Sequence, residues 1–286
     1  MVTKDTWQDR MSEDMRLRDF SPRTLEGYLA ATRQFIDWLQ RGPETAVEDD
    51  IRNYFLYLRE DKKLAPTSIS VMMYALRFFF TFTVRRELPV FDLLRVHKTR
   101  KLPVVLSRPE VRSVLAVVRE PVRRMALATI YALGLRLNEG LSLETGHIDA
   151  ERFTVWVRNG KGAKDRGVPL PRPLLARLRR YWKSERPASD TPYLFVAAGA
   201  KAALHETTLQ KTFIAARADA GLAKQASIHT LRHSYATHLL EAGISLRTIQ
   251  HVLGHRSLRT TEIYMHVTHP GMERLQETVD QLMVDL

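Results

Sequence analysis

Between Leu88 and Val105 the apolar periodicity of this chain stops. The segment holds Pro89, Pro103 and the basic string His97-Lys98-Thr99-Arg100-Lys101, with none of the three- and four-residue apolar spacing found on either side. A chain interrupted in this way folds as two bodies: a helical domain over residues 1–95, a basic linker over 96–105 and a second domain over 106–286. The 286 residues are enough for two ordinary cores. Charge divides at the same place. Residues 1–95 carry 15 basic and 15 acidic side chains and residues 96–286 carry 29 and 17, so the whole formal net charge of +12 lies in the second part. A basic excess confined to one part is the electrostatic footprint of a polyanionic partner.

Composition narrows the class. With 44% apolar and 27% charged residues the chain reads as a soluble globular protein, and the absence of cysteine excludes disulfides and thiolate zinc sites. The N-terminus lacks the apolar core of a signal peptide, and no uninterrupted apolar run approaches bilayer length. A cytoplasmic protein without a membrane partner is expected.

The first part reads as helices. Ser21-Pro22 has the form of a helix start, and Leu25, Tyr28, Leu29, Phe35, Ile36 and Leu39 follow at helical spacing. Ile51, Phe55 and Leu58 mark a second helix, and a third runs from Pro66 toward Arg85. Its Phe78, Phe79, Phe80 and Phe82 fit a core better than a base-stacking platform. The second part opens on the capping box Ser107-Arg108-Pro109-Glu110, and a helix from Val122 to Leu133 stops at Gly134. Residues 153–157 alternate as a strand and 167–170 answer them as its hairpin partner. Between the strands, Lys161 stands flanked by two glycines in an exposed loop, and Lys164 and Arg166 read as contacts to backbone phosphate or as solvated charges. Helices then cover 174–182, 207–220, 231–242 and 246–253, the last three each followed by glycine. After Pro270, Met272, Leu275, Val279, Leu282 and Leu286 form a narrow apolar seam, which packs on its own domain or docks on a neighbouring subunit.

The stretch 229–267 carries the chemistry. His229, Arg232 and His255 precede Tyr264, with no carboxylate cluster among them. Cations gathered near an oxygen nucleophile suit a phosphoryl transition state, whose charge planar arginine matches bidentately, and the tyrosine would hold the fragment covalently. Tyr264 alone would read as a core residue. His229, His233 and His238 also have the spacing of a helical metal site, but no nearby carboxylate or cysteine completes it.

Together the motifs Gly134-Leu135-Arg136-Leu137-Asn138-Glu139, Gly160-Lys161-Gly162, His229-Thr230-Leu231-Arg232, Leu253-Gly254-His255 and Thr261-Glu262-Ile263-Tyr264 resemble the tyrosine recombinases, the lambda-integrase family. The likeness covers essentially the whole chain and includes the Ser21-Pro22-Arg23-Thr24 helix. It implies a mainly α fold with a small β-sheet (α+β). A helical, SAM-like core-binding domain and a mixed α/β catalytic domain at 106–286 would form a C-shaped clamp on double-stranded DNA. By the same resemblance, Arg136 and Arg232 hold the scissile phosphate, His255 hydrogen-bonds it, His229 helps accept the Tyr264 proton, and Lys161 protonates the departing 5′-oxygen. The product is a 3′-phosphotyrosyl intermediate, formed without a metal or nucleotide cofactor. Lys98, Arg100 and Lys101 of the linker are candidate phosphate contacts, beside Lys164 and Arg166. Glu139 orients Arg136 or caps the following helix.

Gly140 and residues 144–147 depart from the apolar and Trp/Asp-rich residues the family carries there. The 68-residue step from Lys161 to His229 leaves no room for the insertion of integron integrases, and an extra N-terminal domain of the kind that binds arm sites in phage integrases is not expected. The plan is nearest to Xer-type recombinases and stand-alone integrases of mobile elements. The implied function is site-specific recombination by a homotetramer assembled through the helix at 270–286, with accessory proteins an open possibility. Strand relaxation of the type IB topoisomerase kind and non-catalytic DNA binding are the alternatives.

Overall fold

The first two helices of the N-terminal part begin at capping side chains. Thr6 and Asp9 form a reciprocal capping box at the head of α1 (Trp7–Arg16), and the Ser21 hydroxyl accepts from the Thr24 N–H at 3.3 Å at the head of α2 (Pro22–Leu39). There follow α3 (Glu48–Glu60), α4 (Pro66–Phe78) with its π-helical continuation Phe79–Val84, and α5 (Val90–Leu93). The computed structural model describes residues 6–95, 102–158, 165–255, 257–265 and 280, and the chain divides into two units, residues 1–100 and 101–286.

Aromatic rings fill the first unit. Phe35, Tyr54, Phe79 and Phe80 are fully buried, and edge-on contacts join Phe35 to Tyr54 at 5.0 Å and Trp7 to Phe79 at 5.6 Å between ring centres. Phe78 is buried with them. Phe82 differs: it is 38% exposed, and the Arg18 guanidinium lies 3.9 Å from its ring centre. The continuous helix Pro66–Val84 is long and apolar enough in mean composition to match a membrane span, although Arg77 and its serines and threonines interrupt the apolar run. Its Ile69, Leu76, Phe79 and Phe80 belong to the core of this unit.

The second unit opens on α6 (Arg108–Val117), where Ser107 and Glu110 form the expected capping box. Next come α7 (Pro121–Ala132) and the short α8 (Leu137–Leu141), then a three-stranded antiparallel sheet in the order β1 (Ile148–Asp149), β2 (Thr154–Val157), β3 (Arg166–Pro169). Val155 pairs with Val168; Val155 and Val157 face the core while Trp156 is exposed, the alternation of a half-buried strand. Two-residue β1 is too short to leave a periodic signal. The remaining helices are α9 (Arg172–Ser184), α10 (Glu206–Asp219), α11 (Ile228–Glu241) and α12 (Leu246–Leu253). Helix α7 packs on α9, α10 and α11, which places the chain entering α8 beside the start of α11. Gly140 is explained by this packing, since a Cβ there would meet Ile130 Cγ1 of α7 at 2.5 Å.

Candidate active site

Helix α12 ends in three consecutive carbonyls that its own backbone leaves without a helical partner. Three arginines from three other places in the sequence take them: Arg166 Nε donates to Val252 (2.8 Å), Arg232 to Leu253 (2.6 Å) and Arg136 to Gly254 (3.2 Å). The negative end of the helix dipole favours these cations. Arg232 also donates to the Gly134 carbonyl at 2.8 Å. Both glycines are needed in their turns. Gly134 has φ +59°, and a Cβ there would collide with the Tyr235 ring; Gly254 has φ +64° and would press on Arg166 Cδ at 3.0 Å.

One carboxylate stands among the three guanidiniums. Glu139 accepts a bidentate pair from Arg166 at 2.8 and 2.9 Å, accepts from Arg136 Nη1 at 2.6 Å, and lies 3.7 Å from Arg232. It also accepts from the Arg136 backbone N–H at 2.8 Å, so it caps α8 and orients Arg136 at once. Burial alone would push its carboxyl up, but the hydrogen bonds and charges of Arg166 and Arg136 outweigh that and hold it at about 2. Among the described residues of this cluster, one negative charge against three positive ones leaves an unbalanced positive field. Arg232 is 1% exposed as a side chain and Arg136 27%, so Arg136 presents that field to the outside.

Beside the arginines lie three imidazoles and a phenol. His229 and His233 sit one turn apart on α11 with ring centres 4.5 Å apart. His233 Nδ1 is 3.0 Å from the Tyr264 hydroxyl, and His255 stacks on the Tyr264 ring at 6.4 Å with Nδ1 on Thr261 Oγ1 at 2.9 Å. Tyr264 is 1% exposed, on a short 3₁₀ turn packed against Ala236, Ile249 and Leu253. Burial, then the arginine charges, hold His255 at about 3; burial, then His229 and Arg232, hold His233 at about 4. His229 is lowered for the same reasons, by burial first. Burial raises the Tyr264 phenol against the opposing pull of Arg232 and Arg136. At neutral pH the site therefore holds neutral imidazoles, a protonated phenol and fixed guanidinium charge, and the guanidinium charge suits it to receive an anion.

Comparison with known proteins identifies the family. The model of the phage integrase family matches residues 105–270, and that of the N-terminal SAM-like domain of phage integrases matches residues 7–90. The chain belongs to the phage integrase family, the tyrosine recombinases. It is 41% identical to an integrase/recombinase of Sinorhizobium fredii over 91% of this chain and 84% of that protein. It is 35% identical to tyrosine recombinase XerA of Pyrococcus furiosus over 93% and 90% of the two chains. Among solved structures, XerH site-specific recombinase bound to a palindromic difH substrate in a post-cleavage complex shares the fold. That match has TM-score 0.75 and 21% identity over 96% of this chain and 84% of that one. This protein is thus a tyrosine site-specific recombinase, with a mainly α fold and a small sheet, and its partner is DNA.

The recombinase brings together five of the six residues singled out for catalysis: Arg136, His229, Arg232, His255 and Tyr264 share one site. Lys161 lies outside the described residues, as do Lys98, Arg100, Lys101, Lys164 and the seam at 272–286. Two expectations change. Arg166, read as a phosphate contact or solvated charge, is 6% exposed with all three guanidinium nitrogens engaged; a bidentate carboxylate and a helix-end carbonyl draw it inward. The imidazole at hydrogen-bond distance from the Tyr264 hydroxyl is that of His233, where proton acceptance was expected of His229. His238 stands apart from both, its Nδ1 on the Tyr131 hydroxyl at 2.9 Å. The i to i+4 step from His229 to His233 did signal a shared helix face, and lacked only the tyrosine that face meets.

Proposed function

We propose that this recombinase cuts and rejoins duplex DNA through a 3′-phosphotyrosyl intermediate on Tyr264. The observation that carries the reading is the unbalanced charge: three guanidiniums face one carboxylate beside a buried phenol. A scissile phosphate entering here would meet Arg136 first. Remaining N–H donors of Arg136 and Arg232 then hold its non-bridging oxygens, and His255 donates to the same phosphate. As the phenol oxygen bonds to phosphorus, the bond to the 5′-oxygen breaks and Lys161 supplies that oxygen's proton. Guanidiniums already anchored on backbone carbonyls and Glu139 need no reorganisation as charge builds up, which is the main source of such catalysis. His229, one turn from Arg232 and His233, supports the imidazole row.

Strand exchange requires two cut sites, so four subunits act together in the cytoplasm, with the segment 270–286 as the bridge between them. Lys98, Arg100, Lys101 and Lys164 supply sequence-independent phosphate contacts. The test is a suicide DNA substrate with the purified protein. Tyr264→Phe is expected to bind DNA as the natural protein does and to form no covalent protein–DNA adduct. Arg136→Ala should form it about 100- to 1,000-fold more slowly. Adducts surviving Tyr264→Phe would sink the assignment of the nucleophile.

A further inference from the structure

The phenol of Tyr264 has to lose its proton as it attacks, and three imidazoles are near enough to consider. His255 lies nearly parallel to the phenol ring, 18° between planes, and so offers it a face rather than a lone pair; its Nδ1 is already engaged by Thr261. His229 meets His233 edge to face, and among the described residues its hydrogen-bonding reach to the phenol is not seen. His233 Nδ1 is the atom at hydrogen-bond distance from the hydroxyl, 3.0 Å.

We infer that His233, a residue outside the six matched catalytic positions, is the general base that takes the Tyr264 proton. A phenol is a stronger hydrogen-bond donor than a neutral imidazole N–H, so the phenol donates to Nδ1 and the imidazole proton sits on Nε2. When the phenol oxygen bonds to phosphorus its proton passes to Nδ1. The P–O5′ bond breaks and the 5′-oxygen leaves with the proton from Lys161. In the rejoining step the imidazolium of His233 returns its proton to the departing phenolate.

The surroundings also tell when this base acts. Burial, His229 and Arg232 oppose a positive charge on His233, and His233 in turn adds to the repulsion felt by His255. Without DNA the imidazole is neutral and a weak base, and the buried phenol keeps its proton. A phosphate dianion equivalent is not required: a single diester charge placed against Arg136 and Arg232 offsets the repulsion and makes proton uptake by His233 favourable.

This inference rests on the phosphotyrosyl reading, and its test separates the two. Single-turnover cleavage is followed as a function of pH for the natural protein, His233→Gln and Lys161→Ala. Each is measured on an ordinary suicide substrate and on one with sulfur in place of the bridging 5′-oxygen. Glutamine can accept the phenol hydrogen bond but cannot take the proton. His233→Gln is expected to bind DNA normally, to cleave about 100- to 10,000-fold more slowly, and to lose the acidic limb of the pH profile. The sulfur leaving group needs no acid, so it should restore Lys161→Ala but not His233→Gln. Cleavage by His233→Gln within three-fold of the natural protein, or its restoration by sulfur, would overturn the inference while leaving the nucleophile intact. A natural protein that forms no adduct would overturn the parent reading instead. Nitrogen NMR of histidine-labelled natural protein gives a check without any variant at His233. Nδ1 should carry no proton and should shift in Tyr264→Phe; a protonated Nδ1 refutes the proposal.

Discussion

The two units of this recombinase bury different things. In residues 1–100 the interior is Phe35, Tyr54, Phe79 and Phe80, and the ion pairs Arg41–Asp50 and Arg77–Asp92 stay toward solvent. In residues 101–286 an equally apolar core built on Leu127, Val155, Phe195 and Phe213 surrounds Glu139, Arg166 and Arg232, all buried. Buried charge costs desolvation that pairing seldom fully offsets. The second unit tolerates it where positive charge must be held ready for an anion; the first has no such demand. The contrast teaches that the ionic cluster serves the reaction, with the apolar shell supplying the stability it lacks.

The largest effects should come from removing the centre of each interior. Glu139→Ala leaves three guanidiniums facing one another, and loss of one member of such a cluster costs about 3–5 kcal/mol. Phe35→Ala opens a cavity worth about 3–5 kcal/mol in the first unit. Hydrogen exchange read by mass spectrometry over the full chain should place each loss in its own unit. Cleavage of bound DNA should then separate the two further, falling with Glu139→Ala well beyond what reduced folding explains. If Glu139→Ala were no worse than a surface change, the cluster would not be the element that distinguishes the second unit.

This contrast explains which parts could be read in advance. Local signals were legible, because they are written in adjacent residues: the Ser21 and Ser107 caps, the glycine stops at 134 and 254, and the alternation over 154–157. The arginine–histidine–tyrosine set was legible because its residue types suit one chemistry. Arg166 was not. An arginine beside a basic loop looks solvated, and nothing local says that Glu139, 27 residues earlier, will draw it inside. His233 was visible as a helix-face partner of His229, but the tyrosine it meets comes 31 residues later on a separate turn. Burial of charge is a tertiary fact, and the sequence holds only its ingredients.

A smaller effect sharpens the comparison through pH. Nine of the ten histidines lie in the second unit, and the first unit carries His97 alone. His229, His233 and His255 are held below the ordinary histidine range, the last two at about 4 and about 3. Between about 6.5, where an unfolded histidine titrates, and those values the unfolded chain binds more protons than the folded one. Stability of the second unit is thus fully present above about 6.5 and declines as pH falls through this window. Glu139, depressed to about 2, contributes stability that is present above the ordinary carboxylate range and is lost only as pH approaches that value. Exchange protection measured from pH 7 to 4 should fall more steeply in the second unit than in the first. His255→Asn should flatten that slope. Equal slopes would mean the imidazoles are not kept neutral by their burial.

The smallest expected effect tests where the two units are alike. Ser21 accepts from the Thr24 N–H and also bonds the Thr24 hydroxyl at 2.8 Å, so Ser21→Ala removes two contacts and should cost about 1 kcal/mol. Ser107→Ala removes the 3.3 Å bond from the Glu110 N–H, yet residue 107 keeps its own N–H on the Glu110 carboxylate at 2.7 Å. Lys224 Nζ holds that carboxylate at 2.8 Å and lowers its pKa, so half the box persists and the loss should be about 0.5 kcal/mol. Helix caps act within one turn and do not sense whether the interior beyond is aromatic or ionic. A Ser107→Ala loss several times that of Ser21→Ala, measured by denaturant unfolding, would show instead that the start of α6 is coupled to the cluster. The path is short: the Leu106 N–H donates to Ser234 Oγ on α11, two residues from Arg232.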